Sequence, residues 1–180
     1  AMNSPHVDNC ARVCHSPSLK GMRTTIGEGA ATNPFDDIYK TENIVVMGSN
    51  TTEAHPIVAN RMIKAARDKT ATLSVIDVRQ TQLSKFGEQL IIPYEANLLV
   101  LNMMAYVILS ENLYNKEFID SRCTGFEEYK EFKLKYKIEP RANFNNEERV
   151  LNKWINDQKR FFKKRLSNNS TLSFIFPIYM

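Results

Sequence analysis

The chain has 180 residues, 43% of them hydrophobic, with a formal net charge of +4, which suits one globular domain with a small appendage. No apolar run approaches the roughly 18 to 20 residues of a membrane-spanning helix. Three cysteines, Cys10, Cys14 and Cys123, are too few and too scattered for a disulfide framework, so a reducing compartment is the default.

Residues 1–34 read as a loop-rich segment with short helical pieces, punctuated by Gly21, Gly27 and Gly29 and closed by Asn33-Pro34. Its opening, Ala1 to His6, lacks the basic stretch and apolar core of a signal peptide, and a cytoplasmic location is expected. The segment holds Asp8-Asn9-Cys10-Ala11-Arg12-Val13-Cys14-His15-Ser16-Pro17-Ser18, a thiol beside an imidazole in a run without hydrophobic periodicity. A thiolate is a ligand for a soft metal, and a neighbouring histidine takes or gives a proton near neutral pH. Two other readings stand beside this one. A cysteine often only fills space in a core, and Cys10-x3-Cys14-His15 has zinc-ligand character, although no second cysteine pair follows it.

Residues 35–136 read as an α/β domain. Ile44-Val45-Val46-Met47 is a short β-branched run ending at Gly48, the signature of a buried parallel strand. Gly48 to Thr52 is expected as a loop. His55-Pro56 opens a helix running to about Arg67, with Ile57, Val58, Met62 and Ile63 at helical spacing and Ala65 and Ala66 for close packing. Leu73 to Ile76 forms a second strand. Strand, helix and strand make a right-handed βαβ unit, and the expected fold class is a small parallel sheet with flanking helices, a Rossmann-like core. Such units bind ligands beyond the carboxyl ends of their strands, where Gly48-Ser49-Asn50 with Glu53 and Asp77-Val78-Arg79 stand. Asp77 suits a ribose or a guanine edge, Arg79 suits phosphate, and the helix start offers N–H groups to an anion. An ordinary NAD or ATP site is not expected, because neither Gly-x-Gly-x-x-Gly nor a Walker-type loop occurs. His55 is equally a helix-start residue bonded to backbone or a ligand contact.

Leu90-Ile91-Ile92 is a third strand. Asn97 to Leu113 is the strongest helix, capped by Asn97, with Leu98, Leu101, Ala105, Ile108 and Leu109 as its stripe and Met103 and Met104 in the core. Asn115 caps a helix over Lys116–Arg122, and Phe126 to Tyr136 is a third. Cys123 reads as a packed or surface thiol. Residues 137–180 form a mostly helical basic extension, with helical stretches around Trp154 and Lys159–Arg165 and a strand-like Leu172–Ile178. Nine basic against four acidic residues give this extension +5, whereas residues 1–136 carry 15 against 16. It is read as a solvated face; nucleic acid is disfavoured as a partner, because no binding motif accompanies the charge.

The Asp8–Ser18 segment resembles the part of molybdenum- or tungsten-dependent formate dehydrogenase alpha subunits that carries the metal-ligating Cys or selenocysteine, within the molybdopterin oxidoreductases. The similarity continues through Gly21, Thr25, Gly27, Gly29-Ala30 and Thr32-Asn33. It resumes at Gly48 to Asn60, Val75 to Arg79 and Gly125 to Tyr129, and covers roughly residues 7–136. The resemblance implies formate oxidation to carbon dioxide at a molybdenum or tungsten centre held by two molybdopterin guanine dinucleotides. It makes Cys14 the metal ligand, His15 the proton acceptor, and Asn50, Glu53, Asp77 and Arg79 the contacts to nucleotide and pyrophosphate. The family carries its iron–sulfur cluster on a preceding domain and its formate-holding arginine far downstream. Other domains or electron-transfer subunits are therefore the implied partners, and the isolated chain is expected to have little or no activity. Two positions depart from the pattern: Val78 replaces a proline, and Pro93-Tyr94-Glu95-Ala96-Asn97 replaces a basic residue and a glycine-bearing turn, with Glu95 at a glycine position. The competing expectation is a non-catalytic α/β module that binds a nucleotide or a partner.

Overall fold

The computed structural model describes residues 3–31 and 33–135, together with the backbone of Leu172–Ile175. The helices are α1 (Ala11–Cys14), α2 (Ser16–Ile26), α3 (Thr51–Ala54), α4 (Pro56–Arg67), α5 (Asn97–Ser110), α6 (Lys116–Arg122) and α7 (Phe126–Lys135). The strands are β1 (Asn43–Met47), β2 (Thr72–Asp77), β3 (Glu88–Ile91) and β4 (Leu172–Ile175). The described residues fall into two compact units, one running up to Ile91 and including the C-terminal strand from Ser173, the other starting at Ile92.

In the first unit the strand order is β3-β2-β1-β4. β1 and β2 run parallel, with Asn43 opposite Thr72 and Met47 opposite Ile76, and β2 and β3 run parallel from Ser74 opposite Glu88 to Asp77 opposite Ile91. The β-branched runs adopt this form because a parallel sheet is covered on both faces and needs no polar alternation. Ile44, Val75 and Leu83 are fully buried, and Val46 and Leu73 nearly so. They pack against Ala59, Met62 and Ala65, the buried stripe of α4, whose two alanines bring the helix close to the sheet. The expected βαβ unit is therefore present, with no helix among the described residues long and apolar enough to cross a membrane.

Local differences from expectation have physical causes. The N-terminal segment contains the 11-residue helix α2 rather than only short pieces, because Pro17 suits a first turn and Gly21 is tolerated inside it. The loop expected over Gly48–Thr52 ends early, since α3 begins at Thr51. Ile57 is 66% exposed, leaving Met62 and the alanines as the core face of α4. The stretches around Trp154 and Lys159–Arg165 lie outside the described residues, and the terminal strand spans Leu172–Ile175.

The second unit is helical among its described residues. Asn115 caps α6 by accepting the Phe118 N–H at 2.9 Å, as its sequence position implied. α5 starts differently: Ala96 occupies the cap position, Asn97 is the first helical residue, and Asn97 does not cap. The buried face of α5 is Val100, Met103, Met104, Val107 and Leu109; Leu98, expected inside, is 71% exposed. Just before α5, Glu95 holds a left-handed backbone with φ of 66°. This conformation crowds a Cβ against the following carbonyl and costs roughly 1–2 kcal/mol for a residue with a side chain. Glu95→Gly is therefore expected to stabilise the chain by about 1 kcal/mol, after the greater freedom of unfolded glycine is offset. Thermal unfolding of the two proteins checks this; an unchanged or lower midpoint would show that the turn is not strained.

Candidate functional site

The loops beyond the carboxyl ends of β1 and β2 are set by backbone geometry. β1 ends at Met47, and Gly48 turns the chain with φ of 62°, a value glycine adopts without steric cost. The Gly48 N–H donates to the Ile76 carbonyl at 2.9 Å, which fastens the loop after β1 beside the end of β2. The neighbouring hydroxyls of Ser49 and Thr51 are buried and hydrogen-bonded to each other at 3.0 Å. Asn50 is half-buried; its Oδ1 accepts from the Thr52 hydroxyl at 3.2 Å, leaving its amide N–H groups for another acceptor. Glu53 stands exposed on α3. His55 closes α3 and opens α4, donating its backbone N–H to Thr51 and accepting from the Ala59 N–H at 3.0 Å. Its position is thus that of a helix-junction residue. The N–H groups of Ile57, exposed, and Val58 precede the first intrahelical bonds of α4 and point the positive end of its dipole outward.

Asp77, the last residue of β2, is only 8% exposed, a costly place for a carboxylate without donors. Its Oδ1 accepts the Arg79 backbone N–H at 3.1 Å, a turn that sets the course of the loop and leaves Oδ2 for a further donor. Arg79 itself is exposed. Two residues later Thr81 is 7% exposed, and its hydroxyl has no hydrogen-bond partner. Asn50, Asp77 and Arg79 therefore stand on loops that leave adjacent parallel strands on the same side, with Glu53 one turn further along α3. Sequence reasoning missed Thr81, because a threonine before a helical turn looks like an ordinary cap.

The Cys-His element stands apart from these loops. The carboxylate of Asp8 pairs with Arg12 one turn along, ordering the chain ahead of α1. Cys14 ends α1, and its thiol is exposed rather than packed among aliphatic side chains. His15, the cap residue of α2, separates it from Ser16, the first residue of that helix. His15 is half-buried; its N–H donates to the Ala11 carbonyl at 3.0 Å, and its carbonyl accepts from the Leu19 N–H at 2.9 Å. No hydrogen bond or ion pair joins Cys14 or His15 to Asn50, Glu53, Asp77 or Arg79. Among the described residues no group of three or more His, Cys, Asp and Glu side chains is placed to hold a metal, so the zinc reading of Cys10, Cys14 and His15 lacks its ligand set.

An exposed thiol next to a histidine in sequence, and polar loops at the carboxyl ends of two parallel strands, are carried on an α/β chain with a βαβ unit. The chain belongs to the molybdopterin oxidoreductases, whose sequence model matches residues 2–169. Within that family it is similar to formate dehydrogenases. It is 43% identical over 138 residues to the F420-dependent formate dehydrogenase subunit alpha of Methanocaldococcus jannaschii, a match covering 76% of this chain and 20% of that protein. It is 41% identical over 126 residues to formate dehydrogenase H of Escherichia coli, covering 69% of this chain and 18% of that protein. The chain thus spans about a fifth of the length of these relatives. Among solved structures, acetylene hydratase from Pelobacter acetylenicus has the same fold, with a TM-score of 0.67 at 23% identity over 93% of this chain and 22% of that one.

The residues present fit a phosphate-bearing part of a molybdopterin cofactor: the buried Asp77 carboxylate has a spare oxygen to accept from a hydroxyl, and the exposed Arg79 guanidinium suits phosphate oxygens.

Proposed function

We propose that this chain is the part of a formate dehydrogenase that carries the metal-ligating thiol and grips the guanine nucleotide end of one molybdopterin guanine dinucleotide. The observation that carries the reading is the buried Asp77 carboxylate at the carboxyl end of β2, beside the Gly48 turn that ends β1, in a chain of this family. When bound, the cofactor supplies a molybdenum or tungsten ion that takes two electrons from formate. The chain's own residues do the rest of what is assigned here. Cys14 would hold the metal as a thiolate. His15, next to it, accepts the proton released as formate, HCOO⁻, becomes carbon dioxide with loss of two electrons. Asp77 and Asn50 hold ribose and base through hydrogen bonds, and Arg79 neutralises pyrophosphate charge. Glu53, an acceptor only, orients hydroxyl or amino groups of the nucleotide. A reducing cytoplasm suits three exposed free thiols.

Formate binding, the second pterin and electron exit require groups that this reading assigns to other domains or subunits. Purified chain supplied with molybdenum cofactor is therefore expected to show little or no formate-dependent dye reduction. Sustained turnover would contradict that assignment. A second reading, a nucleotide-binding module without catalysis, needs only the polar loops at the carboxyl ends of β1 and β2 and no chemistry at Cys14. Metal analysis of protein purified from cells that make molybdenum cofactor, with pterin fluorescence of the same sample, separates the two. Metal and pterin that disappear in Cys14→Ser favour the first, and nucleotide binding with neither favours the second.

A further inference from the structure

We propose that Cys10 and Cys14 close into a reversible disulfide, a redox site that withholds the Cys14 thiol from a metal while it is oxidised. The withholding rests on the reading of Cys14 as a metal ligand; the bond itself does not. Cys10 is the thiol of the Cys-His element to which the metal and nucleotide assignments give no role. Both cysteines are exposed and free. The Cys10 carbonyl accepts the N–H groups of Val13 at 3.2 Å and Cys14 at 3.0 Å, so the two cysteines stand one helical turn apart. Residues with this spacing share a face, and Arg12, two positions from each, lies on the other side in its pair with Asp8. One turn of helix puts the Cα atoms about 6 Å apart, within the span of a disulfide, and the Cβ atoms about 5–6 Å apart, about 1–2 Å too far. Closing the bond therefore requires α1 to give up part of its turn. Little opposes that, because α1 has four residues and none of them is buried. The strain that remains makes the bond easy to reduce, which suits a transient disulfide of a reducing compartment rather than a structural one. The chemistry is exchange with a low-molecular-weight disulfide, here oxidised glutathione. One cysteine thiolate attacks a glutathione sulfur, displaces the first glutathione thiolate and leaves a mixed disulfide. The other attacks the protein sulfur of that mixed disulfide and displaces the second. Two electrons pass from the cysteine pair to glutathione disulfide, and the two thiol protons end on the two glutathione thiols formed.

The test uses the full chain, reduced, then incubated with oxidised glutathione and mapped by mass spectrometry without reductant. Trypsin cleaves after Arg12, between the two cysteines, so the bond joins peptide Ala1–Arg12 to peptide Val13–Lys20. That linked pair is expected as the major product at these cysteines, and it should vanish with dithiothreitol. In Cys10→Ser the second thiol is gone. Cys14 is then expected to keep glutathione as a mixed disulfide at least about tenfold longer than in the unaltered chain, where a linked thiol acts at millimolar effective concentration. Glutathione on both cysteines with no linked pair overturns the proposal. So does a mixed disulfide at Cys14 that lasts as long in the unaltered chain as in Cys10→Ser. The withholding is read by molybdenum analysis and pterin fluorescence after exposure of the chain to molybdenum cofactor. Retained molybdenum is expected to fall about tenfold on oxidation, as when a metal site loses a contact, and to return with dithiothreitol. Equal retention by the oxidised and reduced chain, with loss in Cys14→Ser, overturns the withholding and leaves Cys14 as the metal ligand. Equal retention in all three overturns the ligand reading of Cys14, and the withholding with it.

Discussion

Gly87→Ala is expected to destabilise the chain more than any other single substitution considered, by forcing β3 away from β2. Gly87 lies directly before β3, opposite Leu73 in the register that pairs Ser74 with Glu88. A Cβ at this position would stand 2.2 Å from the Leu73 carbonyl oxygen and 2.8 Å from Leu73 Cβ. The obstruction is backbone of the central strand, held between β1 and β3, so it cannot swing aside as a flexible side chain would. Relief requires β3 to move away from β2. Leu73 is itself in the core, packed with Val75, Leu83 and Met62, so the displacement is felt beneath the helix as well. The expected loss is about 3 kcal/mol or more, at the upper end of what overpacking costs, out of a total that for a domain is about 5–15 kcal/mol. Urea unfolding measures it. A midpoint within the error of the unaltered chain would mean that the β2–β3 pairing is looser than described.

Asp77→Ala carries the largest expected effect on binding. A hydrogen bond to a charged group contributes about 1.5–3 kcal/mol, so losing the carboxylate should weaken a guanine nucleotide by roughly 10- to 100-fold. The substitution also removes the acceptor of the Arg79 N–H, which loosens the loop carrying Arg79. Asp77→Asn separates the two effects, because its side-chain oxygen still accepts that N–H. Nucleotide affinity should fall in Asp77→Asn by less than in Asp77→Ala, and the unfolding midpoint should be nearly restored. Calorimetric titration and thermal unfolding of both variants check this; equal affinity in all three proteins would remove Asp77 from the site.

The parallel βαβ unit was legible because its signals are local and mutually consistent. Ile44 to Met47 is a β-branched run closed by Gly48, and Pro56 marks the first turn of α4, so strand, turn and helix could be placed within a residue or two. Burial faces were less legible. α5 is apolar on nearly every side, so periodicity could not choose between the side bearing Leu98 and the one bearing Val100. α3 escaped notice because Gly48 to Thr52 consists of small and polar residues that mark a turn as readily as a helix.

In the candidate site, residue types were legible and spatial relations were not. Asn50, Asp77 and Arg79 could be assigned to the carboxyl ends of two strands, but the Gly48 N–H bond to Ile76 that fastens the loops together is a tertiary fact. Thr81 was invisible for a related reason. Only the structure reveals that its hydroxyl has been left without a partner while Ser84 bonds its carbonyl. Glu95 lies between these cases: similarity to the family marked it as a glycine position, and its φ of 66° gives that departure a physical cost.

Titrating the full chain with GDP, and separately with ATP, tests the nucleotide-gripping crevice most directly. One saturable site for GDP, diminished in Asp77→Ala, with ATP at least tenfold weaker, is the expected result for a guanine-recognising loop without a Walker-type phosphate cradle. No GDP binding at millimolar concentration, or equal binding of the two nucleotides, would contradict it.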